Sequence, residues 1–318
     1  MTVWSLMRVV ERRIEAEDII AFVLEPVTGS LPAYQAGAHI DVRMPSGLVR
    51  QYSLCGPLDR PDRYEIAVLR DASGRGGSRS MHADVLLDSA IEVSAPRNLF
   101  PLEGGQRRAL LFAGGIGVTP ILAMAEELSR AGKDFAMHYC TRRAARAAFR
   151  ERIDTSPFAR QVHYHFDDDP ETRLDAPAAL AGWKEGTHLY VCGPDGFMNH
   201  VLDLARAAGW PESHIHFERF SACVPADGGG DGFEIEIEGT GQIIAVPPGE
   251  TALAALAAAG FEIPVSCEQG ICGTCLTPVT GGVPDHRDMF LSDAERAAND
   301  CFTPCCSRAL TPRLTLRV

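Results

Sequence analysis

Four cysteines near the C-terminus constrain this chain more than any other feature. Cys267, Cys272 and Cys275 form a C-x4-C-x2-C run, and 29 residues separate Cys275 from Cys305. Three thiolates on one tight loop can hold one side of a small inorganic core, and a fourth thiolate from a distant segment can close the other side. The spacing therefore predicts that the C-terminal part of the chain folds around a metal centre.

The same spacing is typical of plant-type [2Fe–2S] clusters, and we predict such a cluster here. Gly270 and Gly273 allow the loop to curl with its N–H groups directed at the cluster sulfurs. Zinc is the main alternative and free thiols are another, but zinc sites usually contain two C-x2-C pairs and this loop has one. The adjacent Cys306 is a second candidate for the fourth ligand. The 29-residue spacing and the following Ser307-Arg308 favour Cys305.

Length and charge limit the classes of protein to consider. A chain of 318 residues exceeds the size of a single hydrophobic core, so two or three domains are expected. The net charge of −12, without a basic stripe, argues against a nucleic-acid partner. The absence of an apolar run of membrane-spanning length and of a signal-like N-terminus predicts no membrane association and a reducing, cytoplasmic setting. Cys55, Cys140, Cys223 and Cys301 are interpreted as structural.

Residues 1–103 have the pattern of a small antiparallel β-barrel with Greek-key connections. Within it, Arg50-Gln51-Tyr52-Ser53 brings a cation, a ring and a hydroxyl together on one strand. Gly76-Gly77-Ser78 precedes a predicted helix, Arg79–Leu86, whose first N–H groups suit a phosphate. The alternative interpretations are a surface arginine beside a packed tyrosine, and a flexible hairpin. The predicted strands are Ile19–Leu24, Ala38–Arg43, Arg50–Leu54, Tyr64–Leu69 and Ala90–Ser94.

Residues 104–222 alternate strands with helices, which predicts an α/β domain with a parallel sheet. The run Ala109–Ala113 is apolar throughout, as in a strand buried on both faces. Two turns, Gly114-Gly115-Ile116-Gly117-Val118-Thr119-Pro120 and Cys192-Gly193-Pro194, follow strands at the carboxyl edge, where such sheets bind ligands. The other predicted strands and helices are Phe135–Cys140, His163–Phe166, His188–Cys192, Ile121–Ala131, Ala145–Arg152, Pro177–Leu180 and Asp195–Ala208.

A glycine-rich linker over residues 223–232 precedes a C-terminal domain over residues 233–318. Phe233–Glu238 alternates apolar and acidic residues, which predicts a strand with one acidic face, and Thr251–Ala259 predicts a capped helix. This domain has eleven Asp and Glu residues against five Arg, a net charge of −6. The acidic surface is interpreted either as simple solvation or as a docking face for a basic partner.

Together these motifs resemble the phthalate dioxygenase reductase family of the ferredoxin–NADP reductase superfamily, which includes reductases of vanillate demethylase-type and carnitine monooxygenase-type systems. The resemblance extends over nearly the whole chain. It implies a flavin-binding barrel, a nicotinamide-binding α/β domain and a C-terminal α+β ferredoxin domain of the β-grasp type. The residues it places at FMN or NADH are Arg50, Gln51, Tyr52, Ser53, Gly76, Gly77, Ser78, Gly114, Gly115, Ile116, Gly117, Thr119, Pro120, Cys192, Gly193, Pro194 and Phe220.

The resemblance also implies a reaction. NADH would deliver a hydride to FMN, and single electrons would pass through the cluster to a separate terminal oxygenase with a Rieske non-haem iron centre. Ser53, Thr119, Cys192, Glu218 and Phe220 would surround the reacting atoms. A haem-thiolate monooxygenase or a small-molecule acceptor is the alternative, and a metal-binding sensor module is a more distant one.

The choice of NADH over NADPH has a sequence argument on each side. Members of the family use NADH, whereas Arg142, Arg143 and Arg146 follow the second strand, where a 2′-phosphate would lie. Thr141 stands where an acidic residue would bind the ribose. The resemblance favours FMN over FAD, and so do the short loops available to hold an adenylate.

Overall fold

The computed structural model describes residues 3–72, 76–220, 230–265 and 267–318. The chain divides between Arg219 and Phe220 into two compact units. The first unit holds both predicted N-terminal domains, and their boundary near residue 103 stays a prediction. Most of the predicted linker lies outside the described residues, as does Cys223. In the described residues, no helix has both the length and the apolar character needed to cross a membrane.

The first half of the N-terminal unit is a curled antiparallel sheet, which confirms the predicted barrel. The strand order is β4-β3-β6-β1-β2-β5, with β7 beside β3, and a bridge between Leu54 and Ile66 closes the curl. Buried apolar side chains such as Phe22 and Ile40 fill its interior. The elements are β1 (Trp4–Ala16), β2 (Ile19–Pro26), β3 (Ala38–Arg43), β4 (Val49–Ser53), β5 (Tyr64–Leu69), α1 (Gly77–Asp84), β6 (Ala90–Ser94) and β7 (Arg97–Asn98).

The longest strand of the barrel, β1, was not predicted from the sequence. It pairs with both β2 and β6, and Met7 and Val9 are fully buried. Its register shifts between Val9 and Glu11 and again between Ile14 and Ala16. Such bulges move the side chains that follow to the other face, so the sequence does not alternate strictly.

The second half of the unit is a parallel sheet, as predicted, with the order β10-β9-β8-β11-β12. Its described elements are β8 (Arg108–Gly114), α2 (Val118–Arg130), β9 (Asp134–Thr141), α3 (Arg150–Asp154), β10 (Val162–Phe166), α4 (Ala176–Leu180), β11 (Thr187–Cys192), α5 (Asp195–Ala207) and β12 (Ile215–Glu218). The prediction of a single helix over Ala145–Arg152 is wrong. A 3-10 turn, Ala144–Arg146, and α3 replace it, because Phe149 between them has a left-handed φ of 61°.

A half-buried guanidinium connects the two halves of this unit. Arg152 of α3 lies 3.2 Å from Glu65 of β5 and 2.7 Å from Glu126 of α2. Burial raises the pKa of both carboxyls, and the arginine opposes that rise. The Glu127 carboxylate also accepts the backbone N–H of Ala36 at 2.9 Å. Arg152 therefore helps to neutralise carboxylates of both halves, and at Glu65 it does so together with Arg13 of β1, which lies 2.8 Å from that carboxylate.

The second unit is a mixed sheet with the order β14-β13-β19-β15-β17, in which β13 and β19 are parallel, and a small pair β16-β18. Leu256 of its first helix packs with Ile235 and Leu314 of the sheet, which agrees with the predicted β-grasp fold. Its described elements are β13 (Phe233–Ile237), β14 (Ile243–Val246), α6 (Ala252–Ala258), β15 (Thr277–Gly281), β16 (Pro284–Asp285), α7 (Asp293–Ala298), β17 (Cys301–Phe302), β18 (Arg308–Ala309) and β19 (Arg313–Leu316).

The acidic face of β13 is partly neutralised by its neighbour in the sheet. Arg313 of β19 lies 2.7 Å from Glu234 and 3.0 Å from Glu236, and Arg317 lies 2.6 Å from Glu238. The predicted alternation of β13 is confirmed. Its carboxylates, however, form ion pairs within the domain.

Candidate functional site

The four predicted cluster ligands lie together as two pairs of thiols. The Cys267 and Cys272 thiols share a hydrogen bond, which lowers the pKa of Cys272 to about 5 and raises that of Cys267. Cys275 and Cys305 share another, which lowers the pKa of Cys275 and raises that of Cys305. All four side chains belong to the second unit, and Cys267, Cys275 and Cys305 are buried.

The loop between these cysteines depends on its two glycines. Gly270 and Gly273 have left-handed φ values of 73° and 66°. A Cβ at Gly270 would lie 2.3 Å from the Cys306 sulfur, and one at Gly273 would lie 2.3 Å from the Phe290 ring. Only glycine satisfies both the backbone and the packing at these positions.

The donor set fits a [2Fe–2S] cluster. Two irons with two thiolates each need two pairs of cysteines, and the loop with Cys305 provides them. Within the described ranges, no three His, Cys, Asp or Glu side chains are grouped around a point as ligands of a single metal ion would be. Cys306 also touches Cys305, but its sulfur lies 3.2 Å from the Thr303 hydroxyl. The choice of Cys305 as the fourth ligand stays a prediction.

Sequence reasoning missed the buried carboxylate that shapes the segment beside the loop. Asp288 is 2% exposed and accepts the backbone N–H groups of Phe290 and Leu291 at 3.0 and 2.7 Å. Met289 in turn donates its N–H to the Gly270 carbonyl at 2.8 Å. Asp288 therefore positions this segment against the cysteine loop. A single aspartate between ordinary loop residues gave no sequence signal.

The predicted flavin-phosphate site is formed by Arg50 and the start of α1. A Cβ at Gly77 would lie 2.7 Å from the Arg50 Cγ, so only a glycine allows the arginine stem to pass this close to the helix start. Gly76 precedes the helix with a φ of 95°, and the Ser78 hydroxyl accepts the Asp71 N–H at 3.0 Å. A guanidinium beside the positive end of a helix dipole suits an anion between them. The residues therefore fit the phosphate of a flavin.

Beside this site, Tyr52 is half-buried and packs against the barrel core, where burial raises the pKa of its hydroxyl. Gln51 and Ser53 flank it on the opposite face of β4. Thus the predicted R-x-Y-S strand presents the ring and the hydroxyl on different faces.

Ser53 meets Glu218 between the two halves of the first unit. The Ser53 hydroxyl donates to the Glu218 carboxyl at 3.3 Å, and Glu218 of β12 is paired in register with Cys192 of β11. Burial raises the pKa of Glu218 to about 8, while the Ser53 hydrogen bond lowers it. This carboxyl therefore retains its proton at neutral pH. Burial also raises the pKa of the Cys192 thiol, which suits a residue that packs beside the reacting atoms rather than a nucleophile.

The two glycine-rich turns are pressed against each other at the carboxyl edge of the parallel sheet. A Cβ at Gly117 would lie 2.2 Å from the Cys192 carbonyl oxygen, and one at Gly193 would lie 2.9 Å from the Gly114 Cα. A Cβ at Gly114 would meet the Phe197 ring at 2.6 Å. The turns lead directly into α2 and α5, whose first N–H groups suit a pyrophosphate. They fit a dinucleotide.

The remaining predicted residues of these turns have structural positions as well. Gly115 has a φ of 54°, and the Thr119 hydroxyl donates to the Ile116 carbonyl at 3.0 Å. Pro120 lies in the first turn of α2, and Pro194 directly precedes α5. Their contacts with a nucleotide stay predictions. The same holds for Phe220, which is 38% exposed and belongs to the second unit.

Two family models match the chain. The model described as "2Fe-2S iron-sulfur cluster binding domain" matches residues 235–310. The model described as "Dimethylamine monooxygenase subunit DmmA-like, N-terminal domain" matches residues 91–215.

Several known proteins are similar to this chain over nearly its full length. The chain is 52% identical over 308 residues to a vanillate O-demethylase oxidoreductase of Pseudomonas sp. strain HR199, with 96% of each chain covered. It is 46% identical to another of Acinetobacter baylyi, with 94% of each covered. The solved phthalate dioxygenase reductase is 36% identical with a TM-score of 0.80, covering 99% of this chain and 98% of that one. A self-sufficient cytochrome P450 monooxygenase is also 36% identical, with a TM-score of 0.84, covering 99% of this chain and 41% of that one.

Fold, sites and comparisons define an electron-transferring oxidoreductase that binds a flavin and a pyridine nucleotide and has a [2Fe–2S] domain. The chain belongs to the phthalate dioxygenase reductase family.

Proposed function

We propose that this protein takes electrons from NADH, passes them through FMN and a [2Fe–2S] cluster, and delivers them singly to a separate Rieske-type oxygenase. The observation that carries the proposal is the full-length match, at 52% identity, to a vanillate O-demethylase oxidoreductase. The organic substrate class that this match supports for the oxygenase is a methoxylated aromatic acid. The flavin, when bound, supplies the conversion of a two-electron donor into single electrons.

The chain's own residues bind and orient the cofactors. Arg50 and the start of α1 hold the flavin phosphate, and the paired glycine turns hold the nucleotide pyrophosphate. Ser53 and Glu218 form a hydrogen-bonded pair with a proton available at neutral pH. Cys192 is fully buried and lies beside Glu218 in the register of β11 and β12.

NADH is preferred because the arginines that follow β9 have partners in the barrel. Arg143 lies 2.6 Å from Glu17, and Arg146 lies 3.5 Å from both Glu17 and Asp18. Two of the three guanidiniums that a 2′-phosphate would need are thus already paired with carboxylates. A competing phosphate would have to break these ion pairs, which supports the NADH assignment.

A haem-thiolate monooxygenase is the second candidate acceptor. The self-sufficient cytochrome P450 whose structure overlaps 99% of this chain supports it. The two candidates differ only in the acceptor, so the first electron-transfer steps are common to both.

An anaerobic titration with NADH tests the proposal. Flavin absorbance should bleach first and cluster absorbance second, and extraction followed by mass spectrometry should identify FMN. NADPH should give a kcat/KM at least about tenfold lower than NADH. Mixing the reduced protein with a Rieske oxygenase or a cytochrome P450 then distinguishes the acceptors by which centre is reduced. Failure of NADH to bleach either chromophore would refute the proposal.

A further inference from the structure

A row of polar side chains covers one face of the barrel sheet behind Ser53. In the pairing of β3 with its neighbours, His39 stands opposite Ser53 on β4 and opposite Arg97 on β7. Asp41, two residues further along β3, stands opposite Gln51. Directly opposed residues of antiparallel strands project from the same face. The five side chains therefore form one continuous polar surface.

Hydrogen bonds along this surface fix the tautomer of His39. Arg97 contacts both oxygens of Asp41 at 2.8 Å, and the Gln51 amide nitrogen donates to Asp41 at 3.2 Å. The same amide nitrogen lies 3.4 Å from the His39 Nε2. An amide nitrogen can only donate, so Nε2 accepts and the ring proton of the neutral imidazole resides on Nδ1.

The Nδ1 atom of His39 is aimed at Glu218. His39 is 3% exposed, and its Nδ1 lies 4.0 Å from the Glu218 Oε1, while the other carboxyl oxygen accepts from Ser53. Within the part of the chain that the structure describes, Nδ1 has no hydrogen-bond partner. An unsatisfied buried donor is unfavourable, and a displacement of about 1 Å would bring it into hydrogen-bond range of the carboxyl.

The groups that face this pair keep the imidazole neutral. Burial lowers the pKa of His39 to about 4, Arg97 lowers it further, and Asp41 opposes both. On the side of Glu218, the neighbouring titratable group is the Cys192 thiol, which burial keeps protonated. At neutral pH the imidazole is therefore an N–H donor without charge. Such a donor stabilises the ionised form of an adjacent carboxyl.

We propose that His39 is a positioning residue for Glu218: its Nδ1–H binds the carboxylate as the proton leaves, and so sets the pH at which Glu218 ionises. In that step the O–H bond of the carboxyl breaks, the proton passes to solvent, and the N–H···O hydrogen bond closes from 4.0 Å. Arg97, Asp41 and Gln51 hold the ring in the required tautomer. The relevance of this step to the reaction rests on the proposed function, but the titration itself does not.

Two substitutions of His39 distinguish the effect of its Nδ1–H donor from the effect of its side-chain volume. His39→Asn keeps an amide N–H near the Nδ1 position, whereas His39→Leu removes the donor with little change in volume. Infrared difference spectra of the flavin-loaded protein without nucleotide would follow the carboxylic C=O band of Glu218, with Glu218→Gln to assign it. We expect the Leu variant to ionise about one to two pH units higher than the natural protein, and the Asn variant to stay within a few tenths of a pH unit of it.

The ionisation midpoints of Glu218 in these variants either support or overturn the proposal. Equal midpoints for the Leu variant and the natural protein would overturn the proposal, and so would an Asn variant that titrates like the Leu variant. If the Leu variant does not fold, His39→Gln serves instead. It lacks a donor near the Nδ1 position and should titrate as expected for Leu. The pH profile of NADH oxidation by ferricyanide should shift in the same direction. Because no nucleotide is present in the infrared titration, failure of the NADH assignment would leave its result unchanged.

Discussion

Gly117→Ala should separate the two turns that hold the nucleotide. The added Cβ would lie 2.2 Å from the Cys192 carbonyl oxygen and 2.6 Å from the Gly193 nitrogen, both backbone atoms that no rotamer change can move. Ordinary contact begins at 3.4 Å, so the turns must part by about 1 Å. Overpacking of this kind costs about 1–3 kcal/mol, and a displacement of that size at a reacting centre lowers a rate about 100-fold.

Steady-state oxidation of NADH by ferricyanide and thermal unfolding would measure the two effects. We expect kcat/KM for NADH to fall about 100-fold while the bound flavin is retained, because Arg50 and α1 are untouched. Gly196→Ala is the matched control: a Cβ there meets no atom within 4 Å, and the residue lies inside α5. That variant should be slightly more stable than the natural protein. An unchanged kcat/KM and melting temperature for Gly117→Ala would refute the reasoning.

Three further predictions address the other sites. Cys272→Ser should abolish reduction of a protein acceptor and leave ferricyanide reduction by NADH intact; loss of both activities would contradict separate flavin and cluster sites. Arg50→Gln should weaken flavin binding about 10–100-fold in a fluorescence titration, and an unchanged Kd would place the phosphate elsewhere. Arg152→Met should lower the free energy of unfolding by about 1–3 kcal/mol at pH 7, because Glu65 keeps its contact with Arg13. Removal of the cation raises the pKa of Glu65 and Glu126 in the folded state. In denaturant titrations, the loss of unfolding free energy relative to the natural protein should therefore shrink as the pH falls. A loss that stays constant with pH would contradict the assignment.

Elements with a strict period were predictable from the sequence. Strands such as Ala38–Arg43 and Tyr64–Leu69 agree with the structure at both ends, because their side chains alternate or are uniformly apolar. The cysteine loop was predictable because ligand spacing is local. By contrast, β1 was missed, since two bulges interrupt its alternation.

Much of the candidate site depends on contacts between distant segments, which a single sequence does not display. Glu218 was placed near the flavin only by resemblance, and its contact with Ser53 joins residues 165 positions apart. His39 and Asp41 were not recognised, although their alternate positions in a strand put them on one face. Their role depends on pairing with Arg97, which the sequence places 56 residues beyond Asp41.

The shared guanidinium of Arg152 determines how this protein can be divided. A barrel transplanted without α3 would lose one of the guanidiniums that contact the buried Glu65 carboxylate, that of Arg152, and keep that of Arg13. A transplant cut after Arg219 carries both carboxylates and the arginine together. Recombination that preserves folding should therefore move residues 2–219 as one block, and exchange the iron–sulfur part separately.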